Sequence, residues 1–227
     1  MRPWVLLDTA EVPGQGGELQ LYQRDEDFSI KIVGRGELMN SRMHNSEDVL
    51  AEQTCARLEG VVNPRMLIGG LGMGFTLAAS LKHIGEQGRV EVAELVPAVV
   101  EWNKGPLGEH AGFPINDPRV TVHTGDVSRI IKTEAKAFDA IVLDVDNGPE
   151  GLTRKKNNWL YSEDGLIASY TALRPNGVLA VWSAGPAPEF QQRLRKVGFK
   201  VKEVRVHAHT GSKGAKHVIW FARKHAN

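Results

Sequence analysis

Apolar and polar positions follow two different periods along this chain, and the first is a period of two. Glu18 to Arg24 places Leu19, Leu21 and Gln23 on one face, and Phe28 to Val33 does the same with Phe28, Ile30 and Ile32. Such alternation predicts half-buried strands, and Asp25-Glu26-Asp27 between them predicts a hairpin. Val5-Leu6-Leu7 is a shorter strand ahead of the Pro13-Gly14-Gln15-Gly16-Gly17 turn, and Gly34-Arg35-Gly36 ends the segment. A sheet this small needs something to pack on, either the main domain or a second subunit. Residues 1–39 therefore read as a small N-terminal β-hairpin segment and residues 40–227 as the main domain.

From Ser46 the pattern changes. Ser46-Glu47-Asp48 opens a helix that runs to about Leu58, with Ser46 as its N-cap and the two acids in the first turn. Short apolar runs then alternate with helical stretches. Strands are predicted at Met66–Ile68, Arg89–Glu94, Val120–His123, Phe138–Asp144 and Val178–Trp182, and helices over 75–81, 97–103, 127–135, 162–173 and 189–197. The Pro- and Gly-containing stretch Gly105–Asp117 reads as a loop, and Val145–Trp159 as a longer one. Ala140-Ile-Val-Leu143 is unbroken and apolar, as a central parallel strand requires. Residues 199–207 and 217–223 are two further strands whose linker is too short for a crossover helix, so they pair antiparallel. Five βα units followed by an antiparallel hairpin define an α/β fold: the Rossmann-like seven-stranded sheet of class I methyltransferases, here with a small N-terminal β segment. A nicotinamide-binding domain would continue with a sixth parallel strand instead.

The first of these units carries the chemistry. Arg65-Met-Leu-Ile runs into Gly69, Gly70, Gly72 and Gly74 and then into a helix. Glycine has no Cβ, so a ligand can approach the backbone, and the N–H groups of such a turn are expected to point at it. Gly70, Gly72 and Gly74 give G-x-G-x-G and not the dinucleotide spacing G-x-G-x-x-G, and no Gly-Lys-Ser/Thr follows to make a phosphate loop. This form suits the methionine end of S-adenosylmethionine; the alternative is a tight turn with no ligand. In an open α/β sheet, ligands sit beyond the strand C-termini, where three acids are found. Glu94 ends the second strand and is placed for a ribose diol. Asp126 follows the third and is placed for an adenine amino group, with the Val127 N–H reaching a ring nitrogen; it is equally suited to cap the next helix. Asp144 ends the fourth strand, above the reacting centre.

Composition narrows the classes. The chain has 227 residues, 41% apolar and 24% charged, with net charge +1. That fits one large domain with a small appendage and gives no reason to expect a broad nucleic-acid surface or a membrane anchor. No apolar run approaches the ~20 residues of a membrane helix, and a cytoplasmic location is expected. A single cysteine, Cys55, excludes an intramolecular disulfide and a Cys-rich zinc site, and its place in a helical pattern reads as core. His207, His209 and His217 lack a metal-ligand spacing, so no metal is expected. His44 reads as a surface or capping residue. Arg154-Lys155-Lys156 reads as a solvated face, or as a contact for an acidic substrate or RNA phosphate.

Taken together, Ile68-Gly-Gly-Leu-Gly-Met-Gly, Ala93-Glu94-Leu95, Gly125-Asp126 and Phe138-Asp-Ala-Ile-Val-Leu-Asp-Val-Asp146, in this order, resemble the spermidine synthase family over about residues 18–222. The resemblance implies propylamine transfer from decarboxylated S-adenosylmethionine to a polyamine, with Asp144 orienting and deprotonating the attacking amine, Glu94 on ribose, Asp126 on adenine and residues 145–159 as a gate. It also implies a dimer or tetramer through the N-terminal β segment, and a homodimer is expected. Three departures matter. The family's glycine motif carries an aspartate where this chain has Gly72. An aspartate there would repel the carboxylate of ordinary S-adenosylmethionine by about a kcal/mol or more at intermediate dielectric; a bare turn accepts it. The gate acids become Asp144-Val-Asp146, and the Tyr-containing segment lining the polyamine pocket reads His44-Asn-Ser-Glu-Asp48. These changes favour methyl transfer from S-adenosylmethionine to a small amine-type acceptor, with Asp144 or Asp146 as base. Aminopropyl transfer is the alternative, and a nucleoside-binding protein without catalysis is a third.

Overall fold

A computed structural model of the chain describes residues 2–14, 16–145, 148–149, 159–207 and 216–226. Asp146, Arg154, Lys155, Lys156, His209 and most of the 145–159 gate expected from the resemblance lie outside these residues.

Two sheets form. The first is a four-stranded antiparallel meander in the order β1-β2-β3-β4, comprising β1 (Val5–Glu11), β2 (Glu18–Arg24), β3 (Asp27–Ile32) and β4 (Gly36–Asn40). The hairpin at Asp25-Glu26 falls where the alternation placed it, but the segment does not end at Gly36. Gly34 and Gly36 adopt φ +75° and +98°, so this stretch is a second hairpin turn that feeds β4. The inward residues Leu19, Leu21, Phe28, Ile30 and Ile32 are all buried and join one apolar cluster with Leu71 and Met73 of the main domain. The Trp102 indole N–H donates to Asp8 Oδ2 at 2.7 Å, latching β1 to the main domain.

The second sheet has seven strands in the order β10-β11-β9-β8-β5-β6-β7. Its parallel strands are β5 (Arg65–Gly69), β6 (Arg89–Glu94), β7 (Val120–Thr124), β8 (Phe138–Leu143) and β9 (Leu173–Ser183). Strand β11 (Lys216–Arg223) is antiparallel to both β9 and β10 (Lys200–His207), as the short linker required. Helices α2 (Phe75–His83), α3 (Pro97–Lys104), α5 (Val127–Thr133), α6 (Glu163–Ala172) and α7 (Pro188–Val197) follow the five parallel strands, and α1 (Asn45–Ala56) leads in. Strand order reverses at β5, which pairs with β6 on one side and β8 on the other, so the crevice opens above Gly69 and Leu143.

Two local expectations are overturned. Residues 106–111, read as loop, form helix α4 (Pro106–Ala111), with Pro106 at its start and Gly112 closing it at φ +78°; proline and glycine marked the ends of a helix too short to show a period. Ser46 is not the N-cap of α1. That place falls to His44, and Ser46 lies inside the first turn, buried, with its hydroxyl turned to Glu47 Oε2 at 2.6 Å. Cys55 is buried, as expected, and burial pushes its thiol up to about 12.

Asp139 is the one acid in the otherwise apolar β8. Its Oδ2 accepts from the Arg65 backbone N–H at 2.8 Å and from the Arg174 guanidinium at 2.7 Å, tying the starts of β5 and β9 to β8. Asp139→Ala removes the acceptor shared by the Arg65 N–H and the partly exposed Arg174 guanidinium, and is expected to cost about 1–3 kcal/mol. Urea unfolding should show a lowered midpoint with an unchanged slope.

Candidate functional site

The glycine turn is anchored by the buried side chains of Leu71 and Met73 and by its backbone. Gly69 ends β5, where an added Cβ would sit 3.1 Å from both Val127 methyls and 3.2 Å from Leu143; close packing of strand on helix fixes its identity. Gly70, at φ +91°, has its missing Cβ directed at the Asp144 backbone carbonyl. Gly72, at φ +52°, has Met39 Sδ 3.2 Å from where a Cβ would stand. Gly74 starts α2 at φ +84°, against Asn103, Ala111 and Pro114. The expectation that the turn's N–H groups face a ligand fails for three of them. Gly70 N–H donates to Ala93 O, Leu71 N–H to Glu94 Oε2 and Gly74 N–H to Leu71 O, at 2.9, 2.8 and 2.8 Å. These donors would otherwise be buried unpaired, and pairing them inside the fold leaves a bare backbone surface.

Glu94 is only 7% exposed. Its second oxygen accepts from Val96 N–H at 2.9 Å. Burial pushes its carboxyl above the usual range, opposed by these backbone donors. The backbone N–H groups of Gly72 and Leu95 also act on this carboxyl. Asp126 caps α5, accepting from Ser128 N–H at 2.8 Å, so the capping role weighed from the sequence is present.

A cleft with about 870 Å3 of empty space, part of it open to solvent, lies over these residues. Gly70, Gly72, Glu94, Asp126, Val127 and Asp144 line its floor; Gly69 and Gly74 do not. The small sheet supplies its roof through Val12, Leu19, Ile30, Ile32, Leu38 and Met39, a role that alternation alone did not signal. A second cavity, with about 890 Å3 of empty space that includes open solvent, opens on the other side of Leu38, Met39, Gly72 and Asp144, residues that line both. Its other polar lining is Asn40, Glu47, Thr76, Trp182 and His217.

Asp144 stands where the two cavities meet. Thr76 Oγ1, in the first turn of α2, donates to Asp144 Oδ2 at 2.6 Å. Burial raises the Asp144 carboxyl above its ordinary range, against that hydrogen bond. Glu47 on α1 is pushed up to about 7, first by burial and then by the charge of Asp144. His217 Nδ1 lies 3.0 Å from Ser46 Oγ, and its ring meets Trp182 edge to face at 4.7 Å; burial lowers its pKa. His44 is elsewhere, stacked on Phe75 at 4.4 Å and paired with Asp48 at 2.8 Å. Tyr161 is buried with its hydroxyl on Val145 O at 3.2 Å, and Trp159 lies under Lys132. Among the described residues no His, Cys, Asp and Glu group that could hold a metal is found, and no helix is long and apolar enough to cross a membrane.

A family model, Spermine/spermidine synthase domain, matches residues 59–208. The chain belongs to this family. Putrescine N-methyltransferase 2 of Nicotiana attenuata is 31% identical over 125 residues, 54% of this chain and 32% of that protein. Polyamine aminopropyltransferase of Korarchaeum cryptofilum is 30% identical over 139 residues, 61% of this chain and 40% of that protein. The aligned part is thus about a third of the length of one relative and two fifths of the other. Among solved structures, spermidine synthase from Thermotoga maritima superposes with a TM-score of 0.76 at 19% identity, covering 98% of this chain and 74% of that one. A putative O-methyltransferase from Klebsiella pneumoniae gives 0.55 at 17% identity, covering 79% and 80%. Both matches carry the fold.

Two outcomes test this geometry. Gly70→Ala adds a Cβ at positive φ against the Asp144 carbonyl, and is expected to destabilise by at least about 1–2 kcal/mol, read as a lowered urea midpoint. The raised carboxyls set the pH dependence. A group whose folded pKa lies above its unfolded 4.5 contributes stability that is complete below 4.5 and is lost as pH rises through its folded value, about 7 for Glu47. Melting temperature should therefore fall between pH 5 and 8. Glu47→Gln should flatten that slope and exceed the natural protein at pH 8 by on the order of 1–2 kcal/mol, solvent screening at its partly exposed position having been allowed for.

Proposed function

We propose that this chain transfers the methyl group of S-adenosylmethionine to the nitrogen of a small amine. The observation that carries the reading is the junction: Asp144 borders the cleft over Glu94, Asp126 and Val127 on one side and a second cavity on the other. In such an arrangement the donor's adenosine lies over Glu94, Asp126 and Val127, its amino-acid tail lies against the bare Gly70–Gly72 backbone, and the acceptor enters from the second cavity. Attack on a carbon bonded to sulfonium needs alignment of the two partners and removal of one proton. Asp144, held by Thr76, orients the amine. Asp146, outside the described residues, is retained as a second acid for this role.

Gly72 and Met39 support the choice of methyl over aminopropyl. No acidic side chain stands at position 72 itself, where the Met39 thioether lies beside the turn, so the repulsion that an aspartate there would add to a donor carboxylate is missing. Kinship with named putrescine N-methyltransferases agrees. Aminopropyl transfer from the decarboxylated donor is the second reading, favoured by the kinship with polyamine aminopropyltransferases. A homodimer in the cytoplasm is part of the proposal; exposed Val5, Leu6 and Leu7 along β1 are the apolar edge it would use.

S-adenosylmethionine at ~100 times its dissociation constant should stabilise the chain by about 2.7 kcal/mol in a thermal shift series, and a labelled methyl group should appear on a diamine. Asp144→Asn should lower kcat by about 10²–10⁴-fold while keeping the donor's thermal shift. Stabilisation by the decarboxylated donor alone, with propylamine transfer, would replace methyl by aminopropyl transfer. Nucleoside binding with no turnover on any amine would make the chain a binding protein.

A further inference from the structure

The second cavity has an electrostatic imbalance. Two carboxylates, Asp144 and Glu47, line it, and no lysine or arginine does among the described residues. Glu47 borders this cavity and not the nucleoside cleft. Its Oε2 is fixed by the Ser46 hydroxyl at 2.6 Å, and Ser46 is fixed in turn by His217 at 3.0 Å. Two carboxylates bordering one cavity with no cation in its described lining raise each other's proton affinity, and a bound cation would relieve that.

We propose that Glu47 is a catalytic residue of the acceptor site, where its carboxylate binds the incoming ammonium beside Asp144 and takes the proton that the nitrogen must lose before it attacks. The proposal rests on the amine-transfer reading and adds the group that receives the proton. The ammonium N–H bond breaks and the proton passes to a Glu47 oxygen, leaving a lone pair on nitrogen. That pair forms the bond to carbon as the carbon–sulfur bond breaks, and the electrons of the broken bond remain on sulfur as a neutral thioether. The alkylated nitrogen then carries the positive charge.

The surroundings favour Glu47 in this role. The titratable groups facing it are Asp48 on its own helix, Asp144 at the end of β8 and His217 on β11; Thr76 on α2 and Asn40 on β4 are uncharged. Asp48 is engaged by His44. His217 is held below its ordinary pKa by burial and is neutral at pH 7. With Glu47 poised at about 7, the site exchanges a proton at neutral pH, where a carboxylate at its usual value would be too weak a base.

Calorimetric titration of 1,4-diaminobutane into the full chain saturated with S-adenosylhomocysteine tests this, at pH 7 in two buffers of different ionisation enthalpy. Binding an ammonium should force Glu47 to ionise, so the natural protein releases about 0.5 proton. Glu47→Gln should bind the diamine at least tenfold more weakly and release none, while keeping its thermal shift with S-adenosylhomocysteine. In turnover, the acidic limb of the kcat/KM profile near pH 7 should be lost in Glu47→Gln and partly restored in Glu47→Asp. Diamine affinity within twofold of the natural protein, with unchanged proton release, overturns the assignment. Turnover by the natural protein matched by Glu47→Gln overturns it alone and leaves amine transfer standing. No diamine binding to either protein, with S-adenosylhomocysteine still bound, overturns it together with the amine-acceptor reading.

Discussion

A glycine-rich bend must still be rigid if a ligand is to be held against it. Here the rigidity comes from Glu94. Its carboxylate accepts from Leu71 N–H in the turn after β5 and from Val96 N–H in the turn after β6, and its backbone carbonyl accepts from Gly125 N–H at 2.7 Å in the turn after β7. One residue thereby ties together three strand ends. Asn103 completes the support, donating from Nδ2 to Gly72 O at 2.9 Å. Burying a carboxylate is unfavourable by itself, which is why Glu94 is pushed toward its neutral form; the backbone donors offset that. Glu94 thus fastens the floor of the cleft, in addition to the ribose contact proposed for it.

The small sheet has a comparable double part. Its apolar face is continuous with the main core, so it does not need a second subunit in order to be buried. The same face roofs the cleft with Leu19, Ile30, Ile32 and Leu38. An apolar roof over a floor of acids excludes water and strengthens each electrostatic interaction beneath it. Met39 matters most in this arrangement, because it reaches the one place in the turn where a larger residue than glycine would otherwise have room.

Much of this was legible in the residues. The βα order, the antiparallel end of the sheet and the acids at the ends of β6 and β8 follow from local period, linker length and the rule that ligands meet strand C-termini. Elements bounded by glycine or proline were less legible: Gly34 and Gly36 looked like an end and are a hairpin turn, and Pro106 and Gly112 looked like loop and bracket α4. The features that shape the second cavity left no local signal. Glu47 reads as an ordinary first-turn acid, Met39 as an apolar residue at a segment boundary, and Asn103 as the polar end of a helix. Each acquires its role from a partner far away in sequence, Asp144, Gly72 and the glycine turn respectively. Thr76 was visible as a polar residue in an apolar helix, but its partner was not.

Under the proposed amine transfer, the acids at the junction would answer a difficulty built into any transfer from sulfonium to ammonium. Donor and acceptor are both cations, and at 4 Å with an effective dielectric of 20 they repel by about 4 kcal/mol. Two carboxylates in the acceptor cavity lessen that repulsion while both partners are charged. Once one of them accepts the proton, the amine is neutral and the repulsion is gone at the moment of attack. After transfer the positive charge resides on nitrogen and the sulfur is neutral, so the nucleoside product loses its attraction to Asp144 while the alkylated amine keeps its own. A site with a single carboxylate would have to orient the amine, hold its charge and take its proton with the same two oxygens. Dividing these tasks between Asp144, already committed to Thr76, and Glu47, poised near neutrality, removes that conflict.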